Sequence, residues 1–166
     1  MKREQCGNCG NMAQVKRGNY RLDEMGLPLV LQRVELIKCD KCGTVEPIIP
    51  NMDGLMHSLA LAVICRPCKL NGAEVRFLRT YLGKSGVDFS ALLHLDKTTL
   101  SKIEHGHQEA GPQTDRLIRL LAVNLSPDLK YVVDRLVKMM PKIEDCNPPH
   151  RGMIEIDPDT QQYQYA

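Results

Sequence analysis

Six of the seven cysteines stand in C-x-x-C pairs: Cys6 with Cys9, Cys39 with Cys42, and Cys65 with Cys68. That spacing places two thiols on one tight turn, as metal chelation or dithiol redox chemistry requires and a disulfide framework does not. In the first two pairs, C-G-N-C-G and C-D-K-C-G, a glycine follows the second cysteine and lets backbone N–H groups turn toward sulfur. Two such knuckles held face to face supply four thiolates in a tetrahedron, the geometry of closed structural zinc sites. Cys6, Cys9, Cys39 and Cys42 are therefore the expected ligands of one structural zinc ion per chain. A rubredoxin-like iron site and two separate redox dithiols are the alternatives. Four sulfurs leave no open position for a water, so the zinc set is not a hydrolytic centre.

The third pair, Cys65-Arg66-Pro67-Cys68, has three readings. It is a pair of reduced cysteines at a helix end, a redox pair without the βαβ context that such pairs usually have, or a second metal site. The last would be completed by Cys146 and His150 of Cys146-Asn-Pro-Pro-His150, if the tail folds back.

A second chemistry lies in residues 85–106, SGVDFSALLHLDKTTLSKIEHG. A short helix with the small residue Ser90 at its crossing point, a turn at His94-Leu95-Asp96 and a second amphipathic helix make a helix-turn-helix layout. On the second helix, Lys97, Thr98, Ser101 and Lys102 point outward and suit base edges and phosphates in a DNA major groove. Lys102 can donate to guanine and Thr98 can meet a base or a thymine methyl. Ser85, Lys84, His105 and Arg119 are the expected phosphate contacts. The competing explanation of the same residues is the polar face of an ordinary helical bundle.

The elements that must position these groups follow from the punctuation of the chain. Leu29, Leu31, Val34 and Leu36 suggest a strand between the knuckles, after a turn at Gly26-Leu27-Pro28. From Asp53, Leu55, Met56, Leu59, Ala60 and Val63 share one helical face, and Pro67 closes that helix. Five capped helices follow. Asn71 and Glu74 have capping-box spacing, Ser85 and Asp96 cap the next two, Gly111-Pro112 opens the fourth and Ser126-Pro127 the fifth. Their expected inward residues are Val75, Leu78, Tyr81 and Leu82; Phe89, Leu92 and Leu93; Leu100 and Ile103; Leu117, Leu120 and Leu121; and Val132, Val133, Leu136 and Met140.

The expected organisation is a four-cysteine zinc module over 1–52, a connecting helix and linker over 53–70, a helix-turn-helix domain over 71–141 and an acidic tail over 142–166. The fold class this implies is a small α+β, zinc-ribbon-like N-terminal module followed by a compact all-α domain of five helices, which the resemblance given below makes lambda-repressor-like. For the tail, IEIDPDTQQYQYA leaves open disorder, an added edge strand or partner contacts. Residues 65–141 carry 12 basic and 8 acidic side chains, whereas 142–166 carry 2 and 5, so the basic excess sits where DNA contact is expected. The start MKREQCGNCG lacks an apolar signal region, and Leu59 to Cys65 is far too short to span a membrane. A cytoplasmic protein without membrane association is expected, in keeping with reduced C-x-x-C pairs.

The stretch LNGAEVRFLRTYLGKSGVDFSALLHLDKTTLSKIEHGHQEAGPQTDRLIRLL resembles the lambda-repressor and Cro class of helix-turn-helix, the XRE class. Joined to the two C-x-x-C-G knuckles and the Gly26-x-Pro28 turn, it resembles the MqsA-like antitoxins and regulators with a YgiT-type zinc finger, over about residues 6–125. The resemblance implies a homodimer that binds a palindromic operator on double-stranded DNA and represses its own operon. In toxin-antitoxin members it also implies a zinc module that neutralises an mRNA-cleaving toxin, which makes a toxin protein a second candidate partner. Gly86 stands where that class often has a phosphate-contacting Gln, and His94 where its turn usually has Gly. The leading expectation is thus a DNA-binding transcriptional regulator and not an enzyme. The alternative is a protein-interaction module with DNA binding secondary.

Overall fold

A computed structural model describes residues 2–23, 26–144, 146 and 152–166. The chain forms two compact units. One comprises Met1–Glu24, Pro28–Leu59 and Met153–Ala166, and the other Met25–Leu27 and Ala60–Gly152.

The first unit is built on a six-stranded sheet: β1 (Arg3–Gln5), β2 (Met12–Leu22), β3 (Leu29–Lys38), β4 (Val45–Ile48), β5 (Ile154–Asp157) and β6 (Gln162–Tyr165). The strands run in the order β1-β2-β3-β5-β6, with β4 also paired to β3. β3 is the organising strand. One flank pairs antiparallel with β2, and the other is divided between β4, opposite Glu35–Lys38, and β5, parallel to Leu29–Leu31.

Leu29, Leu31, Val34 and Leu36 of β3 are all buried, although the step from 31 to 34 breaks a strand's two-residue period. The break is absorbed at Arg33, whose φ is 55°, opposite a register slip between Gly18 and Tyr20. The Asn19 side-chain carbonyl takes the Arg33 backbone N–H at 3.1 Å, so the irregular residue keeps a partner. The kink keeps both halves of β3 facing the same core while its second flank changes from β5 to β4.

The helical unit begins within α1 (Met52–Ile64) and continues through α2 (Gly72–Tyr81), α3 (Gly86–Leu92), α4 (Lys97–Glu104), α5 (Pro112–Leu125), a 3-10 segment (Pro127–Val132) and α6 (Val133–Met139). Asn71, Ser85 and Asp96 cap their helices as expected and Gly111-Pro112 opens α5, whereas Ser126, the expected cap of the fifth helix, makes no side-chain cap bond and opens the 3-10 segment rather than an α-helix. Asn71 and Glu74 exchange capping-box bonds of 2.8 and 2.9 Å, Ser85 accepts from the Asp88 N–H and Asp96 from the Thr99 N–H. Phe89, Leu100, Ile103, Val75, Leu78 and Leu136 are buried as expected.

The expected fold class is corrected by this structure. A small zinc-ribbon-like module followed by an all-α five-helix, lambda-repressor-like domain does not describe a chain that ends in a β-hairpin joined to the N-terminal sheet. β5 is only four residues, with Ile154 and Ile156 as its apolar pair, too short for its period to stand out. Both isoleucines are fully buried beside Leu29 and Leu31, a pairing between chain ends that no local pattern reports.

The second departure is the facing of α5. Leu117 and Leu120 are exposed, and the inward face is Asp115, Ile118, Arg119, Ala122 and Val123. An ion pair on the inner face, described below, turns the helix relative to its most apolar stripe. Val133 and Leu92 are likewise exposed rather than inward. Among the described residues, no helix is long and apolar enough to cross a membrane.

Candidate functional site

The two knuckles are positioned by the ends of β1 and β3. After β1 the chain turns back through Cys6–Gly10, with the Gly10 N–H donating to the Cys6 carbonyl at 2.9 Å and the Cys6 N–H to the Asn11 carbonyl at 2.9 Å. After β3 the same turn recurs, Gly43 N–H to the Cys39 carbonyl at 2.9 Å and Cys39 N–H to the Thr44 carbonyl at 3.0 Å. Gly10 and Gly43 have φ of 69° and 74°, in the left-handed region that glycine enters without Cβ strain, which is why each knuckle ends on that residue.

The four sulfurs all lie within 4.8 Å of one another, with Cys6 to Cys42 at 3.6 Å and Cys9 to Cys39 at 3.5 Å. A tetrahedron of sulfurs about 2.3 Å from a zinc ion has edges of about 3.8 Å, so the cluster fits a single ion with little rearrangement. Cys6 and Cys39 are buried, and Cys9 and Cys42 face solvent. Around them the cluster is mostly polar: Asn8 donates to Thr44 at 3.2 Å, linking the knuckles, and the small apolar neighbours are Ala13 and Ile37. So thin a core suits a module that a metal ion holds together.

The thiols are electrostatically unequal. The Thr44 hydroxyl, 3.1 Å from Cys42 Sγ, and the Thr44 backbone N–H stabilise a thiolate there, bringing the Cys42 pKa down to about 6. At Cys9 the Asn11 backbone favours the thiolate, but desolvation and hydrogen bonds with Cys39, Cys42 and Cys6 outweigh it and push the pKa up to about 12. Four thiols packed this closely cannot all ionise without a cation among them.

In the helical unit, α3 and α4 are joined by the turn at Leu93–Asp96. His94 adopts φ of 51°, so a residue with a side chain takes the left-handed conformation in this turn. Lys97, Thr98, Ser101, Lys102 and His105 are all exposed and recur along one face of α4, while Leu100 and Ile103 are buried beneath them. Gly72 at the start of α2 meets the end of α4 so closely that a Cβ would lie 2.3 Å from the Ile103 carbonyl oxygen. Arg79 of α2 forks onto Glu104 of α4 at 2.6 and 3.1 Å. The acidic groups of α4 are thereby turned to structure, Glu104 to Arg79 and Asp96 to the helix cap.

The other expected DNA contacts are placed unevenly. The Ser85 hydroxyl is exposed but engaged with Asp88, at 2.7 Å to its carboxylate and 3.1 Å from its N–H. Lys84 is half-buried beside it. His105 Nδ1 lies 2.7 Å from the Ser101 carbonyl, which can only accept, so Nδ1 carries the proton.

Arg119 departs from expectation: it is fully buried and cannot reach a phosphate. Its Nε donates to Asp115 at 2.8 Å, and its terminal nitrogens to the carbonyls of Ile64 (2.6 Å), Arg66 (2.8 Å) and Cys68 (2.5 Å). An i, i+4 Asp-Arg pair within an apolar helix was the signal for this role.

The third cysteine pair is divided. Cys68 forms a disulfide with Cys146, which takes two ligands from the second metal site considered above. Cys65 is a buried thiol, and His150 lies outside the described residues. Comparison with family models, with curated proteins and with solved structures returns no match to this chain.

Proposed function

We propose that the chain is a sequence-specific, DNA-binding transcriptional regulator, an antitoxin-like autorepressor that acts in the cytoplasm and binds a palindromic operator as a homodimer. The observation that carries this reading is the exposed face of α4. Lys97, Thr98, Ser101 and Lys102 form a row of donors, with Asp96 and Glu104 both committed elsewhere, so the face presented to solvent is cationic. A short, rigidly capped helix with that face suits entry into a major groove, where lysines meet guanine edges or phosphates and hydroxyls meet either. In this reading the four thiolates hold a structural zinc ion, and no residue is assigned to catalysis.

The test is selection of bound sites from a pool of random duplexes by the full, zinc-loaded chain. The expected result is a palindromic motif with half-sites about one helical turn apart. Its log affinity should fall linearly with log salt. Equal affinity for every sequence would overturn the proposal. A protein that instead co-purified stoichiometrically with a basic ribonuclease and selected no motif would point to the toxin-binding alternative.

A further inference from the structure

Within the helical unit, Cys68 and Cys146 are joined across 78 residues of sequence, with Cα atoms 5.3 Å apart. The chain thus uses cysteine in two opposed states, since the four-thiol cluster can hold a metal only while reduced. The two halves of this disulfide sit in different surroundings. Cys68 is buried, and its segment is knitted to α5: its carbonyl takes Arg119 Nη2, and the neighbouring Leu70 N–H donates to Asp115 at 2.6 Å. Cys146 is only half-buried. The chain just before it is tied back by two backbone bonds, Lys69 N–H to the Glu144 carbonyl at 2.9 Å and Glu144 N–H to the Pro67 carbonyl at 3.0 Å.

We propose that Cys68 and Cys146 form a reversible redox-modification site whose substrate is a dithiol reductant, and that reduction unlatches the chain around Glu144 while the helices stay folded. The accessible sulfur decides the course of the reaction. A reductant thiolate attacks Cys146 Sγ, forming a mixed disulfide, and expels Cys68 as a thiolate that takes up a proton. The reductant's second thiol then attacks its own sulfur in the mixed disulfide, leaves as a cyclic disulfide and frees Cys146 as a thiol. Two electrons pass from the dithiol to the protein disulfide, and two protons end on Cys68 and Cys146. The oxidised form of the same reagent reverses the sequence.

The helical frame does not depend on this bond. Asp115 with Arg119, Arg66 with Glu74 at 3.0 Å, and the buried Leu78, Phe89 and Ile118 all hold without it. What reduction removes is the covalent tie at Cys146; among the described residues Glu144 keeps its two backbone bonds to Pro67 and Lys69, and a segment held in this way belongs to the low-stability end of a structure. Neither Cys68 nor Cys146 belongs to the exposed face of α4.

The zinc-loaded full chain is equilibrated in graded mixtures of reduced and oxidised dithiothreitol, its thiols are trapped by alkylation, and each cysteine is read by peptide mass. Tryptic cutting after Lys142 and the far-ultraviolet helical signal are followed in parallel. Cys68 and Cys146 should become alkylated together in one transition, with cutting after Lys142 at least ~10-fold faster in the reduced chain and the helical signal unchanged. Cys146→Ser should be cut at the reduced rate in every mixture. Alkylation of both cysteines in all mixtures, or equal cutting rates in both redox states, would overturn the proposal. So would a second zinc equivalent that protects Cys68 and Cys146, which would make this a metal site.

Discussion

Arg119 and Asp115 lie one turn apart on α5, both wholly buried, and the guanidinium that neutralises Asp115 at 2.8 Å also gathers the carbonyls of Ile64, Arg66 and Cys68. One side chain thereby closes the end of α1, anchors the connection to α2 and sets the facing of α5. Replacing Arg119 by Met leaves a buried carboxylate without its counter-charge and three carbonyls without a donor. The expected loss is ~3–5 kcal/mol in urea unfolding followed by the helical signal. A loss under ~1 kcal/mol would show that Asp115 and the carbonyls find other partners.

Removal of the metal should act on the other unit. Cys39→Ser takes away a buried ligand and should reduce bound zinc from one equivalent to none, with loss of binding free energy on the order of 10 kcal/mol. Metal analysis, with protease resistance of residues 2–48, checks this. A chelated chain whose N-terminal strands resist protease as before would mean that the sheet does not need the ion.

Lys102 is exposed on α4, so Lys102→Ala should change unfolding free energy by less than ~0.5 kcal/mol. Binding to the selected duplex should weaken by ~1–3 kcal/mol, with relaxed discrimination at one base pair. An equal loss on unrelated duplexes would assign Lys102 to a phosphate.

His94→Gly removes a Cβ from a backbone at φ of 51°. Relief of left-handed strain of ~1–2 kcal/mol is partly offset by the greater chain entropy of unfolded glycine, and a net gain of ~0.5–1 kcal/mol is expected in the urea midpoint. An unchanged or lowered midpoint would show that the imidazole makes compensating contacts.

Asp96 introduces a pH dependence. Hydrogen bonds from the Thr99 hydroxyl, then from the Thr99 backbone N–H, hold its carboxyl below the ordinary value of 3.8. A carboxylate depressed on folding contributes stability above its unfolded pKa and loses it as pH falls through the folded value. Asp96→Ser keeps a capping oxygen without the titration. The stability difference between the native chain and this variant should be constant above about pH 5 and shift against the native chain below about pH 4. A difference independent of pH would remove Asp96 from the acid response.

Much of this architecture follows from residue types at short range. The glycine-terminated knuckles, the caps of α2, α3 and α4 and the buried faces of α2 and α4 all rest on neighbours within a few positions, where period and turn chemistry act directly. The convergence of the two knuckles, distant in sequence, was legible on a different ground: four cysteines at metal-ligand spacing match one tetrahedral site.

What local pattern did not disclose depends on groups far apart in sequence. Ile154 and Ile156 become a strand only because Leu29 and Leu31 offer a flank that β4 does not reach. Arg119 looks like a surface cation until the carbonyls at the end of α1 fold around it, and Leu117 and Leu120 look like core until that ion pair takes the inward side of α5. The sequence alone determined which four cysteines could hold a metal ion and where α2, α3 and α4 begin, since those are contests between adjacent groups. Tertiary structure decided which apolar stripe is buried, which strand completes the sheet and which cysteine meets Cys68, because each turns on burial and pairing between segments that meet only when the chain is folded.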